Sequence, residues 1–341
     1  FAWRAIGHEA GPRTRAGAFR TEDAPRARAL VRRLVGGLLK LQRPDGGFDL
    51  GADSEFSYLI ERVAASSLAT AALVRVRELD ADVTDPVLDE AIARGLAYIK
   101  KQQTDAGSIG IEEPGDRWSQ VDATCAALLA LTLAERPEDE DARMEAARAL
   151  RRFARAGLRN GWTRALGIMT VDRVASAGRD DLFDGNPRGL ADIRDLKQAR
   201  EGPPQTSDWN VAEGIARVVL GLRKGSDPFP ARLTLAILDD PPVWSGQSAD
   251  CQAFWMQAWL VARSGSGQAR DWFKDLLDAL EKEAVEDDDT IHGGWYANTL
   301  SQTAGALLAL VEGLTSQVLV VEGVGTSMRH ALDAEEADTK R

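Results

Sequence analysis

Apolar positions recur at helical spacing along most of the chain, in two alternating forms. From Arg26, the set Ala29, Leu30, Leu34, Leu38, Leu39 and Leu41 falls on one face with basic residues opposite, which predicts a helix with a single buried side. The pattern stops at Gln42-Arg43-Pro44-Asp45-Gly46-Gly47-Phe48, where a proline and two glycines break it. A second helix, over about 56–79, carries Ala64, Ala65, Leu68, Ala69, Ala72 and Leu73. Its small and apolar residues run all round, as burial on most faces requires.

The cycle then repeats. An amphipathic stretch over 86–103, a break at 104–110 and an Ala/Leu-rich helix over 119–133 are followed by a charged helix over 138–156 and a break at Asn160-Gly161-Trp162. After a long connection, a third inner helix is expected over 208–222; the fourth cycle is 231–238, a break at 241–246, then 249–261. The fifth is 269–283, then the loop His292-Gly293-Gly294-Trp295-Tyr296 and a last Ala/Leu-rich helix over 298–314, which Asn298 or Thr299 can cap. Self-similarity every ~50–60 residues marks repeats that bury one another. The fold class this predicts is all-α: an α/α toroid of inner and outer helices, with five recognisable pairs and a sixth supplied by a terminus unless the ring is open. Residues 1–25 read as a surface arm, 26–317 as the repeat domain and 318–341 as a tail.

Composition narrows the function. A chain of 341 residues with 44% hydrophobic and 28% charged residues suits a soluble globular protein. It contains no run approaching the ~20 apolar residues of a membrane span. A net charge of −11 opposes nucleic acid and acidic lipid, leaving a small-molecule or glycan substrate. Cys125 and Cys251 make neither a disulfide framework nor a four-ligand zinc site, and set no compartment. Lying on the second and fourth inner helices, they are expected to be reduced and buried. The start at Phe1 is what a processed or trimmed chain would show.

At Gly95, Tyr98, Gln102 and Gly107 the residues resemble the glutamine-and-tryptophan repeat of the α/α-toroid proteins that include squalene and hopene cyclases and protein prenyltransferase β subunits. Gly37, Leu38, Gln42, Gly47 and Phe48 give a second copy, and Gly294-Trp295 the end of a third. The resemblance implies a site near the breaks, where inner helices begin. In cyclases of this group an acidic run opens an inner helix, and Asp122 matches its middle acid and Thr124 its threonine, whereas Gln120 and Ala123 replace the flanking carboxylates. Asp122 is the catalytic candidate; its alternative is a helix-capping carboxylate.

Trp118, Thr124, Trp209, Trp255, Trp295, Tyr296 and Asn298 are candidates for substrate contact, because aromatic faces stabilise cations and stack on sugars. The same tryptophans also suit packing between repeats. Asp250-Cys251 resembles the zinc-ligand helix of prenyltransferases, but the two residues are adjacent and so diverge on a helix, and the expected third histidine is missing. No metal or cofactor is expected. The acidic run 286–289 reads as a solvated loop or a hard-cation site. The connection over 163–202, with Asp172-Arg173 and Arg179-Asp180-Asp181, reads as a lid or an insertion. Three functions follow: conversion of an isoprenoid-like molecule in a central cavity, a polysaccharide lyase or hydrolase on a toroid scaffold, or a non-catalytic binding scaffold.

Overall fold

The computed structural model describes residues 13–50, 59–79, 85–110, 117–155, 161–176, 182, 211, 214–215, 229–239, 242, 251–263, 268–284, 288–292 and 298–321. Among them are ten α-helices: α1 (Ala24–Leu41), α2 (Leu59–Leu79), α3 (Pro86–Lys101), α4 (Arg117–Ala134), α5 (Glu140–Arg155), α6 (Gly161–Ser176), α7 (Phe229–Asp239), α8 (Cys251–Ala262), α9 (Ala269–Glu283) and α10 (Thr299–Thr315). The strands β1 (Arg13–Gly17) and β2 (Gln317–Val321) pair antiparallel, so part of each terminal segment joins the structure. The chain folds as an all-α toroid.

The alternation of helix types is realised as two rings. Outer α1 buries Ala27, Leu30, Val31, Leu34 and Leu38, and outer α9 buries Trp272, Phe273, Leu276, Leu277 and Leu280, each a single apolar stripe. Inner α10 instead buries every residue from Thr299 to Gly313, which its near-absence of charge permits. Around the inner ring the packing order is α8, α10, α2, α4, α6. Outer α3 lies against α2 and α4, α9 against α8 and α10, and α1 against α2 and α10. That last contact brings the first outer helix onto the last inner one, closing the ring at the chain ends.

Two expectations are corrected. The third inner helix is α6, within the segment read as a lid, and its Leu166, Ile168, Met169, Val171 and Val174 are buried next to α4. Buried at every position from Leu166 to Val171, α6 has no single apolar stripe to betray it, and Asp172-Arg173 near its end resembles loop sequence. Of the segment 208–222, helical Val211, Gly214 and Ile215 are described, and the Gly214 backbone lies against Leu233 of α7 and Leu260 of α8. This supplies a further helical piece beyond the five inner helices; the rest of 177–228, Leu182 excepted, lies outside the described residues.

The second correction concerns register in the repeat. Gln42 bridges to Phe48 and donates Nε2 to the Ala91 carbonyl of α3 at 2.8 Å; Gln103, not Gln102, bridges to Ile109 and donates to the Ala142 carbonyl of α5 at 3.0 Å. The matching turn glycines are Gly46 (φ 88°) and Gly107 (φ 80°), where a side chain would be strained and would also strike the next outer helix. In the last turn Asp289 (φ 56°) takes the glycine's place, and its carbonyl approaches α1 so closely that a Cβ on Gly37 would overlap it. Each turn rests on the next outer helix, and the last rests on the first.

Candidate active-site mouth at the amino ends of the inner helices

One hydroxyl on each of three inner helices holds a turn in place. The backbone N–H groups of Phe48, Ile109 and Ile291 donate to Ser66, Thr124 and Thr303 respectively, each at 3.0 Å. Thr124 also donates to the Gln120 carbonyl at 2.7 Å and is fully buried, so it clamps the turn and presents no face to a ligand. This corrects its reading as a substrate contact.

The clamp fixes where Asp122 lies. Two residues before Thr124, it is rotated ~200° around α4 from the side that holds the turn. Asp122 is half-buried, as is Ala64, which lies two residues before Ser66; Ser301, two before Thr303, is buried. In the first two turns of the inner helices, Asp122 is the one carboxylate among the described side chains. One turn deeper, Cys125 is fully buried; its thiol is pushed well up, first by burial and then by the Asp122 charge. Both cysteines are free and buried, as expected.

The middle of the ring is closed. Ala69, Ala71, Ala72 and Leu73 of α2 are 0% exposed and Thr70 is 1%. Five successive residues cover every face of a helix, so no water-wide channel passes α2 at this level. Any site at the amino ends is therefore bounded along α2 by this packed layer.

Other candidates take structural places. Asn298 caps α10, accepting from the Ser301 N–H at 2.7 Å, and is half-buried. Trp255 is buried in α8 and packs in the core. Trp118 lies in the first turn of α4, its side chain outside what is described, and Trp209, Trp295, Tyr296 and Asp250 lie outside the described residues. Asp289 accepts from Arg33 (3.2 Å) and Lys40 (3.3 Å), hydrogen bonds that hold its carboxyl below the usual range; it binds α1 rather than a cation. Exposed His292 lies 3.8 Å from Asp288. No cluster of three metal-binding side chains occurs among the described residues.

Sequence reading missed Gln302. Its Oε1 accepts from the Cys251 N–H at 2.7 Å, capping α8 from α10, which fixes the orientation of the amide. The Nε2 group is then left buried without an acceptor, an arrangement that costs stability. A glutamine in an apolar helix was the only available signal.

The carboxyl ends of the same helices carry a charged network. Arg173 of α6 pairs with Glu78 of α2 at 3.3 Å, and Arg75 pairs with Glu78 and donates to Thr315 of α10. Arg263, just past α8, pairs with Glu312 of α10 at 2.6 Å and lies 3.9 Å from the Trp259 ring centroid. Asp172 sits among these groups: burial raises its pKa most, Arg263 and Arg173 lower it, and Glu312 raises it.

No protein-family model and no curated protein matches the chain. Among solved structures it resembles a glycosidase with a glutamate-to-alanine substitution (TM-score 0.56, 15% identity) and a glycosidase with a glutamate-to-alanine substitution in complex with glucose (0.56, 16%). A glycosidase with a tyrosine-to-phenylalanine substitution is similar too (0.55, 15%), and each alignment covers 87% of this chain and 99% of the other. At such identity the likeness establishes a shared fold. The cyclase and prenyltransferase resemblance gains no support beyond that level.

Proposed function

We propose that this protein is a glycoside hydrolase acting at the amino-end mouth of the toroid, with Asp122 as its ionised catalytic carboxylate. The observation that carries the reading is the structural likeness, over 87% of this chain, to glycosidases, one of them in complex with glucose. It is supported by the position of Asp122 in the first two turns of inner α4, on the side away from the clamped turn. Glycoside hydrolysis commonly uses two carboxylates, one donating a proton and one acting ionised as base or nucleophile. The amino end of a helix favours negative charge, which suits Asp122 to the ionised role and ill suits it to protonating an alkene. Glu61, in the first turn of the adjacent α2, is our candidate for the second carboxylate. The packed middle of α2 also opposes a deep isoprenoid chamber.

The test is a screen of aryl glucosides and neutral and acidic oligosaccharides, with Asp122→Asn beside the wild type. Turnover that falls ~10²–10⁴-fold in the variant supports the assignment. Unchanged turnover removes Asp122 from catalysis, and glucose binding without turnover on any substrate would mark a non-catalytic scaffold.

A further inference from the structure

At the carboxyl ends of α2 and α4, remote from the amino-end mouth, a cleft of about 310 Å³ opens between these helices and α3. That volume is at the small end of ligand sites, about 300–1,000 Å³. Val74, Ile92, Leu133 and Ala134 supply its apolar lining, and Arg77, Glu78, Asp89 and Arg136 its charged part.

The charges do not balance once their partners are assigned. Arg77 donates to Asp89 at 2.8 Å, and Glu78 is shared by Arg75 and Arg173. Arg143, beside the cleft, pairs with Glu140 at 2.7 Å. Arg136 alone among these arginines has no carboxylate partner among the described residues. It is half-buried in a cleft whose other groups are already engaged.

The backbone beside Arg136 is also unusual. Glu135, directly after α4, has φ 50°, a left-handed conformation that disfavours residues other than glycine. Buried Arg143 donates to the Leu131 carbonyl at 3.3 Å and to the Arg136 carbonyl at 3.0 Å, holding this turn in place. The strained turn is thus anchored from outside the cleft, and Arg136, which it brings into the cleft lining, is left without a carboxylate partner among the described residues.

We propose that this cleft binds a small organic anion with an apolar body: a monocarboxylate whose head pairs with Arg136 and whose hydrocarbon part lies on Val74, Ile92, Leu133 and Ala134. A guanidinium matches a carboxylate by two parallel hydrogen bonds, and one unmatched arginine calls for one negative charge. This site does not depend on the glycoside hydrolase reading.

The experiment is calorimetric titration of the full chain with 4-phenylbutyrate, and with 4-phenylbutanamide as its neutral counterpart. The acid is expected to bind at least tenfold more tightly than the amide, since a charge-assisted hydrogen bond contributes about ten- to a hundredfold. Arg136→Gln should weaken the acid by a similar factor and leave the amide unchanged. Ala134→Trp, which fills the cleft, should abolish binding of both, with circular dichroism confirming that the variant is folded. No binding of the acid to the wild type at millimolar concentration, equal binding of acid and amide, or wild-type affinity in either folded variant would overturn the proposal.

Discussion

The two ends of the inner ring are built from different chemistry. At the amino ends, neutral hydroxyls of Ser66, Thr124 and Thr303 hold the turns, and half-buried Asp122 is carried by a helix that is otherwise uncharged over its described side chains. At the carboxyl ends, Glu78, Arg75, Arg173, Arg263 and Glu312 tie α2, α6, α8 and α10 together. Neutral clamps cost little desolvation and bring no countercharge to the turns they hold, whereas an ionic network neutralises its own members. The contrast argues for chemistry at the amino ends and closure at the carboxyl ends.

Asp122→Asn should produce the largest effect, a ~10²–10⁴-fold loss of turnover with little change in thermal midpoint, measured by kinetics beside a melting curve. A large drop in stability with activity retained would reverse the roles assigned to the two ends. Next in size, Thr124→Val should destabilise by ~1–3 kcal/mol in urea titration, because the buried Ile109 N–H loses its acceptor. A cost under ~0.5 kcal/mol would show that the turn holds without its clamp. Glu312→Gln should cost ~1–2 kcal/mol, less than a fully buried pair because the Arg263 side chain is 41% exposed. No change there would reduce the network to surface decoration.

Asp172 sharpens the comparison through pH. Burial raises its folded pKa above the usual aspartate value of 3.8, so the folded state binds the proton more tightly than the unfolded state. Its contribution is therefore present below 3.8 and is lost as pH rises through the raised folded value. Asp172→Asn should remove that loss. Stability of the variant relative to wild type should improve on going from acid to neutral pH, and a constant difference across that range would contradict the assignment. The smallest effect is expected at Glu135→Gly, a gain of ~1 kcal/mol from relief of the left-handed backbone, read from the shift in denaturation midpoint.

Much of the architecture was legible because helices with one apolar stripe and helices apolar all round must occupy different layers. The stripe on α9 and the uncharged run of α10 each named their place, and Asn298 announced the cap it makes. The candidate mouth was legible only as far as Asp122. The role of Thr124 was not, since a threonine near the start of a helix looks the same whether it meets a ligand or a turn.

What the sequence by itself determined was therefore the kind of each element and the rhythm of the repeat, because burial on one face or all faces is written in local residue spacing. Only the tertiary structure decided that α6 is an inner helix, since Asp172 and Arg173 give its end the charge of a loop and nothing local sets Leu166, Ile168 and Val171 beside α4. It alone chose Gln103 over Gln102, because adjacent glutamines are distinguished only by which one reaches the Ala142 carbonyl. It also joined Arg173 to Glu78 and Arg263 to Glu312 across the ring. A charge pattern along the chain holds no record of a partner brought near by closure of the ring.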